Sequence, residues 1–283
     1  MGRAFARRYA GDLGIDEDPS VWSSDQVLIV LLLRGEDLFG NFVLGDAALE
    51  RAQRLMLRQP DTIRAEDRAD RYGNFAAAAL AGRWADLLIS EHLAAQRLLS
   101  AGVPAAQTEI VFSGARCCLE VARFDRIGAH GRVGFVSLRP LDAAHYGSRD
   151  RWVDAADRLE RDRWLGVQDA DYLRLLWWFG GLIANSDMHF TNTGLFLTSR
   201  PFSLVPSFDM LPMLYRPNTT GEIVAREFCP PLPTPAVVDH WRRAAAMAED
   251  YWRTVEQTEQ ISRAFRDMAG GNAEVIRTLR GRF

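Results

Sequence analysis

Eleven residues, Leu182-Ile-Ala-Asn-Ser-Asp187-Met-His189-Phe-Thr-Asn192, hold the densest set of chemically useful side chains in the sequence. Two asparagines, a serine, an aspartate and a histidine follow directly on the apolar stretch 175–184. Polar side chains at the end of a buried helix need partners, because an unpaired buried polar group costs about 1–3 kcal/mol. Substrate and metal are candidates for that part. The spacing suits phosphoryl transfer. Protein kinases place an Asp and an Asn five residues apart in the catalytic loop. The Asp accepts the proton of the attacking hydroxyl and the Asn binds Mg²⁺ on the nucleotide phosphates. Asp187 and Asn192 have this separation, and a second aspartate, Asp209, follows beyond a predicted hairpin at 194–205. Mg²⁺ prefers oxygen ligands and keeps several waters. Asn192 and Asp209 are therefore the candidate metal ligands, and Asp187, left free of metal, is the candidate base.

A plainer alternative stands beside this one. Asn185 and Ser186 could satisfy the last carbonyls of the helix, with Asp187 opening a turn. His189 also has two readings, a contact to nucleotide or a structural histidine. No second His or Cys lies at ligand spacing from it, which argues against zinc.

The elements that must position these residues form a mixed set. Residues 84–101 place apolar side chains at helical spacing and end near Gly102, with Pro104 beyond. Residues 109–112 and 117–122 predict a β-hairpin, and 132–138 a further strand. Residues 152–164 and 171–184 predict helices, the second apolar on all sides and so central to the core. Two short strands flank the turn Ser199-Arg200-Pro201. Residues 230–235 are a Pro-rich connector, and helices are expected from 236 to 280. Upstream, the apolar run 27–33 is either strand or core helix, and 46–58 and 61–82 predict helices. Arg149 to Arg163 holds five arginines among Asp and Glu, the pattern of a solvated helix face. Trp177 and Trp178 are expected in the core.

Composition narrows the possible functions. The 283 residues are 48% hydrophobic, enough for a core of one or two domains. A net charge of −3 disfavours direct nucleic-acid binding. All 34 basic residues are arginine, so any mechanism needing a lysine ammonium is excluded. Three cysteines, two of them adjacent, make no disulfide framework, and a reducing cytoplasm fits. Neither apolar stretch reaches the ~20 residues needed to span a bilayer.

The catalytic stretch resembles that of the HipA family of bacterial kinases. An Asn-x-Asp-x-His-x-x-Asn pattern is matched by Asn185, Asp187, His189 and Asn192, and a Tyr-Asp-x-Leu context by Phe208-Asp209-Met210-Leu211. Arg123-Phe124-Asp125-Arg126 is similar to the segment between lobes where adenine packs. The stretches at Arg83 and Asp209 look more like the YjjJ-type branch than the founding toxin. The resemblance implies an α+β, protein-kinase-like fold, with a reduced N-terminal lobe of few strands (1–125) and a mostly helical C-terminal lobe (126–283). It implies ATP and Mg²⁺ as cofactors, Asp187 as catalytic base, Asn192 and Asp209 on the metal, and His189, Arg123, Phe124 and Glu91 around the nucleotide. It also implies a toxin that phosphorylates serine or threonine of a protein substrate and pairs with an antitoxin.

Two departures qualify these expectations. The family's Gly-rich phosphate segment and strand lysine have no counterpart between Ala47 and Arg83, so an ion pair to Glu91 cannot form. YjjJ-type members also have an additional N-terminal, helix-turn-helix-like region, and the expectation is that this sequence starts after it. Impaired phosphotransfer is the expectation. A pseudokinase acting as a binding module, and a small-molecule phosphotransferase, are the alternatives.

Overall fold

In the computed structural model of the chain, the described residues are 82–283 apart from 114–115, 128–130, 149–150 and 219–220, together with Val21 and Ser23. The segments expected at 27–33 and 46–58, and 61–82 up to its final residue, lie outside them. The described residues fall in two compact units. Asp125–Phe135 is part of one, and residues 82–124 with Val136–Phe283 are part of the other.

Helix α1 spans Arg83–Ser100 and buries Leu87, Ile89, Ala94 and Leu98 along one face. It stops where the spacing predicts. Gly102 takes φ +73°, a left-handed conformation that glycine adopts without steric cost, and the Val103 N–H donates to the Leu98 carbonyl at 3.0 Å. Two antiparallel strands follow, β1 (Thr108–Ser113) and β2 (Arg116–Val121), with Ile110 opposite Leu119 and Phe112 opposite Cys117. In the smaller unit, β3 (Arg126–Ile127) pairs with β4 (Gly131–Arg132). The buried Asp125 carboxylate there pairs with Arg126 at 3.1 Å.

The strand expected over 132–138 is shorter and ends in a helix. Strand β5 covers Phe135–Ser137, and helix α2 runs from Leu138 to His145. Pro140 conceals α2 in the sequence. It sits in the first turn, where its missing N–H would have had no intrahelical partner. The Leu138 and Arg139 N–H groups donate instead to the Thr193 and Phe190 carbonyls, at 3.0 and 3.1 Å. The start of α2 is thereby fixed to the stretch around Asn192.

Helix α3 (Trp152–Arg161) carries the expected charged face. Arg151 pairs with Asp154, Arg161 with Asp162, and Arg174 reaches across to Asp157 and Glu160. Helix α4 (Val167–Leu182) is the central element: Leu173, Leu175, Leu176, Phe179 and Leu182 are all buried, and Trp178 with them. Strands β6 (Gly194–Phe196) and β7 (Ser203–Leu204) form the expected hairpin. Helices α5 (Val238–Gln257) and α6 (Arg263–Arg280) close the molecule. Trp241, Tyr251, Trp252 and Phe265 from this pair pack into one core with α1 and α4. Among the described residues no helix is long and apolar enough to cross a membrane.

Candidate active site

The end of α4 bears on the capping alternative. Ala184 adopts φ +62°. The Asn185 N–H donates to the Gly180 carbonyl at 2.8 Å, and the Ala184 N–H to Gly181 at 3.3 Å. This is a helix end closed by backbone alone. The side chains of Asn185, Asp187 and Asn192 are therefore not spent on capping.

Those side chains organise the loop that follows. Asn185 Oδ1 accepts the Asp187 N–H at 3.0 Å. Asn192 Nδ2 donates to the Asp187 carbonyl at 2.9 Å, which fixes the amide and leaves Oδ1 as its metal-competent atom. Asn192 is buried, whereas the Asp187 side chain is 39% exposed. His189 is exposed. Its Nε2 lies 3.6 Å from Asp187 Oδ1, and its Nδ1 is 2.6 Å from Thr191 Oγ1.

Asp209 joins this loop from the far side of the β6–β7 hairpin. Its backbone is left-handed, φ +56°, which is uncommon for a non-glycine residue. Asn185 Nδ2 donates to its carbonyl at 3.3 Å, and its own N–H donates to Glu91 Oε1 at 3.2 Å. Burial and then the Asp187 charge hold the Asp209 carboxyl above the usual range. Burial and then Asp209 push Glu91 up to about 7. Glu91 has an acidic neighbour where the family resemblance had implied a lysine, and among the described residues no arginine pairs with it.

Phe124 stacks at 5.6 Å on Phe208, the residue before Asp209, and meets Phe196 edge-on at 5.8 Å. Arg123 beside it is exposed. Glu91, Ala106, Thr108, Val121, Phe208 and Asp209 line one cavity. The seven residues expected from the sequence thus separate into a tight group (Asp187, His189, Asn192, Asp209 and Glu91) and a flank (Arg123 and Phe124).

Two contributors were missed. Asn185 figured as a motif match or a helix cap, yet its one amide contacts both loops. Gly180 was read as part of an apolar helix. A Cβ there would run into the thioethers of Met188 and Met210, each next to a carboxylate of the site. The Gly-Gly pair inside an otherwise apolar helix was the available signal.

The residues fit a magnesium ion. Crowded carboxyls with raised proton affinity are relieved by a cation, and Asp209 with Asn192 Oδ1 gives an all-oxygen donor set. Among the described residues no cluster of three or more His, Cys, Asp or Glu could hold a metal. Any Mg²⁺ here would complete its shell with phosphate and water.

Comparison with known proteins follows the same lines. The structure superposes on a HipA chain of the Shewanella oneidensis MR-1 toxin–antitoxin system HipA, HipB and operator DNA complex. The TM-score is 0.60 at 15% identity, over 99% of this chain and 85% of that one. A second solved structure, the Helicobacter pylori proinflammatory kinase CtkA, gives TM-score 0.45 at 12% identity, over 68% of this chain and 80% of that one. The fold is α+β and protein-kinase-like, with few strands and mostly helix. Residues 69–274 match the HipA-like C-terminal domain, and residues 1–53 the middle domain of YjjJ-like toxins. The chain belongs to the HipA-like C-terminal domain family. It is 30% identical to the Toxin YjjJ of Escherichia coli strain K12 over 321 residues, 99% of this chain and 72% of that protein. An aligned span of 321 against a chain of 283 leaves at least 38 positions of that span without a counterpart here.

Proposed function

We propose that this chain is a HipA-type toxin that binds Mg²⁺ and nucleotide and transfers the γ-phosphoryl group to a serine or threonine of a protein, with turnover far below that of a complete kinase. The observation that supports this reading is the run of hydrogen bonds from the Asn192 amide to the Asp187 backbone, and from there through the Asn185 amide to the Asp209 backbone.

In this reading Asp187 accepts the proton of the attacking hydroxyl, from a carboxylate held by the Asn185 and Asn192 contacts to its backbone. Asn192 and Asp209 would hold Mg²⁺, which when bound neutralises charge on the transferring phosphates. Phe124, stacked on Phe208, would orient the base, with Arg123 and His189 at the margin of the nucleotide. Glu91 serves the Asp209 backbone. Slow turnover follows from the missing lysine: each ~1.4 kcal/mol of lost transition-state stabilisation is tenfold in rate. The Shewanella neighbour is described with HipB and operator DNA, and the shared fold supports an antitoxin protein as partner. The net charge of −3 gives the chain no basic character for DNA contact of its own.

Radiolabelled ATP with Mg²⁺ tests the proposal. Label should appear on the chain or on a protein in lysate, and should vanish in Asp187→Ala. The absence of lysine and the Glu91–Asp209 bond favour a second reading, a binding module without transfer. A rise in melting temperature with nucleotide and Mg²⁺, but no label under any condition, would establish the second reading over the first.

A further inference from the structure

We infer that Asn185 is a positioning residue that couples the base loop to the metal loop, so that Asp187 and Asp209 are set by one side chain. The inference rests on the reading of Asp209 as a metal ligand. Asn185 is buried at the end of α4, and its two amide atoms face different strangers. Oδ1 accepts the Asp187 N–H at 3.0 Å, a turn closed two residues on. Nδ2 donates to the carbonyl of Asp209, 24 positions away, at 3.3 Å, with the Met210 sulfur at 3.6 Å.

The second contact matters because of where Asp209 sits. A left-handed conformation costs a non-glycine residue free energy, less for Asp than for most, and contacts from its surroundings help hold it. Here both backbone polar groups of Asp209 are held from outside: the carbonyl by Asn185, the N–H by Glu91. The strained residue is clamped from the catalytic loop on one side and from α1 on the other. Its carboxylate is thereby aimed by two residues that need never touch the metal. Glu91 then acts through Asp209, in place of the phosphate contact that a lysine–glutamate pair would support.

The discriminating variant is Asn185→Ser. A serine hydroxyl can still accept the Asp187 N–H in the same short turn, though more weakly, but it is too short to reach the Asp209 carbonyl. Asn185→Ala removes both contacts. Mn²⁺ binding to the full chain, followed by electron paramagnetic resonance with a non-hydrolysable ATP analogue, reads the metal site. Amide exchange at Asp187 and Asp209 reads the two halves of the clamp. Both variants should bind Mn²⁺ about tenfold more weakly than wild type, with metal-free nucleotide affinity unchanged. The Asp187 amide should stay protected in Asn185→Ser. The Asp209 amide should exchange faster in Asn185→Ser and Glu91→Ala, and remain protected in Glu91→Gln, which keeps the acceptor. Wild-type Mn²⁺ affinity in Asn185→Ser would overturn the coupling and reduce Asn185 to a local turn former. If wild type itself binds no Mn²⁺, the proposed function fails. Amide exchange then decides alone: unchanged protection of Asp209 in Asn185→Ser overturns the coupling, and lost protection upholds it as a tie between the two loops.

Discussion

Glu91 and Asp209 lie 118 positions apart and share one hydrogen bond, from the Asp209 N–H to Glu91 Oε1 at 3.2 Å. The contact brings two carboxyls together with no paired cation among the described residues. Burial raises the proton affinity of both, with Asp209 repelling Glu91 and Asp187 repelling Asp209. Much of the chemistry of this site should be visible as a response to protons and to divalent cations.

The first response is to pH. Glu91 binds its proton more tightly in the fold, at about 7, than in an unfolded chain near 4.5. Its contribution to stability is complete below the lower value and lost as pH rises through the higher one. Urea unfolding of the metal-free protein should show stability falling between about pH 5 and pH 8, by on the order of 2–3 kcal/mol. The fall should flatten in Glu91→Gln. Parallel profiles for the two proteins would remove Glu91 as its source.

A second expectation concerns charge at Asp209. Replacing it with Asn removes the carboxylate of the proposed metal ligand and also a repulsive neighbour of Glu91. Mn²⁺ with nucleotide should raise the melting temperature of wild type and leave Asp209→Asn unmoved. Without metal, at about pH 8, the variant should melt above wild type. A cation-induced shift of equal size in both would exclude Asp209 from the metal site.

Gly180 offers a separation of stability from function. Alanine is favoured over glycine in a helix by about 1 kcal/mol, but the added methyl displaces the Met188 and Met210 thioethers. Gly180→Ala should change unfolding free energy by less than ~1 kcal/mol, while Mn²⁺ affinity falls several-fold because two loops shift together. Titration of both quantities on one preparation would check this, and unchanged affinity would count against the glycine seat.

Asp86 gives a purely structural test. This buried carboxylate accepts the Ser262 N–H and the Ser262 hydroxyl, both at 2.7 Å, with Arg83 at 3.8 Å. Asp86→Ala strands these donors and should cost about 2–4 kcal/mol in urea unfolding. Asp86→Asn, which keeps one acceptor, should fall between the two.

Much of this was legible in the residues themselves. The apolar helix just before Asn185 and Asp187, the hairpin after it and the stop at Gly102 all follow from periodicity and turn chemistry, and the structure has them. Helix α2 was hidden because Pro140 reads as a breaker until its place in the first turn is known. The side-chain partners were harder still. Asn-x-Asp could equally cap a helix, and only the left-handed Ala184, which lets the backbone close α4, shows that the Asn185 amide is free for other work. The Glu91–Asp209 bond spans too much sequence for any local pattern to announce it.

Helix α1 is fastened near both ends to the helical half of its unit, by Asp86 to Ser262 and by Arg97 to Asp250 at 3.2 Å. In protein kinases the placement of a glutamate-bearing helix in the N-terminal lobe is a point of control. Any rocking of α1 would have to break the Asp86–Ser262 hydrogen bonds and the solvent-exposed Arg97–Asp250 ion pair together.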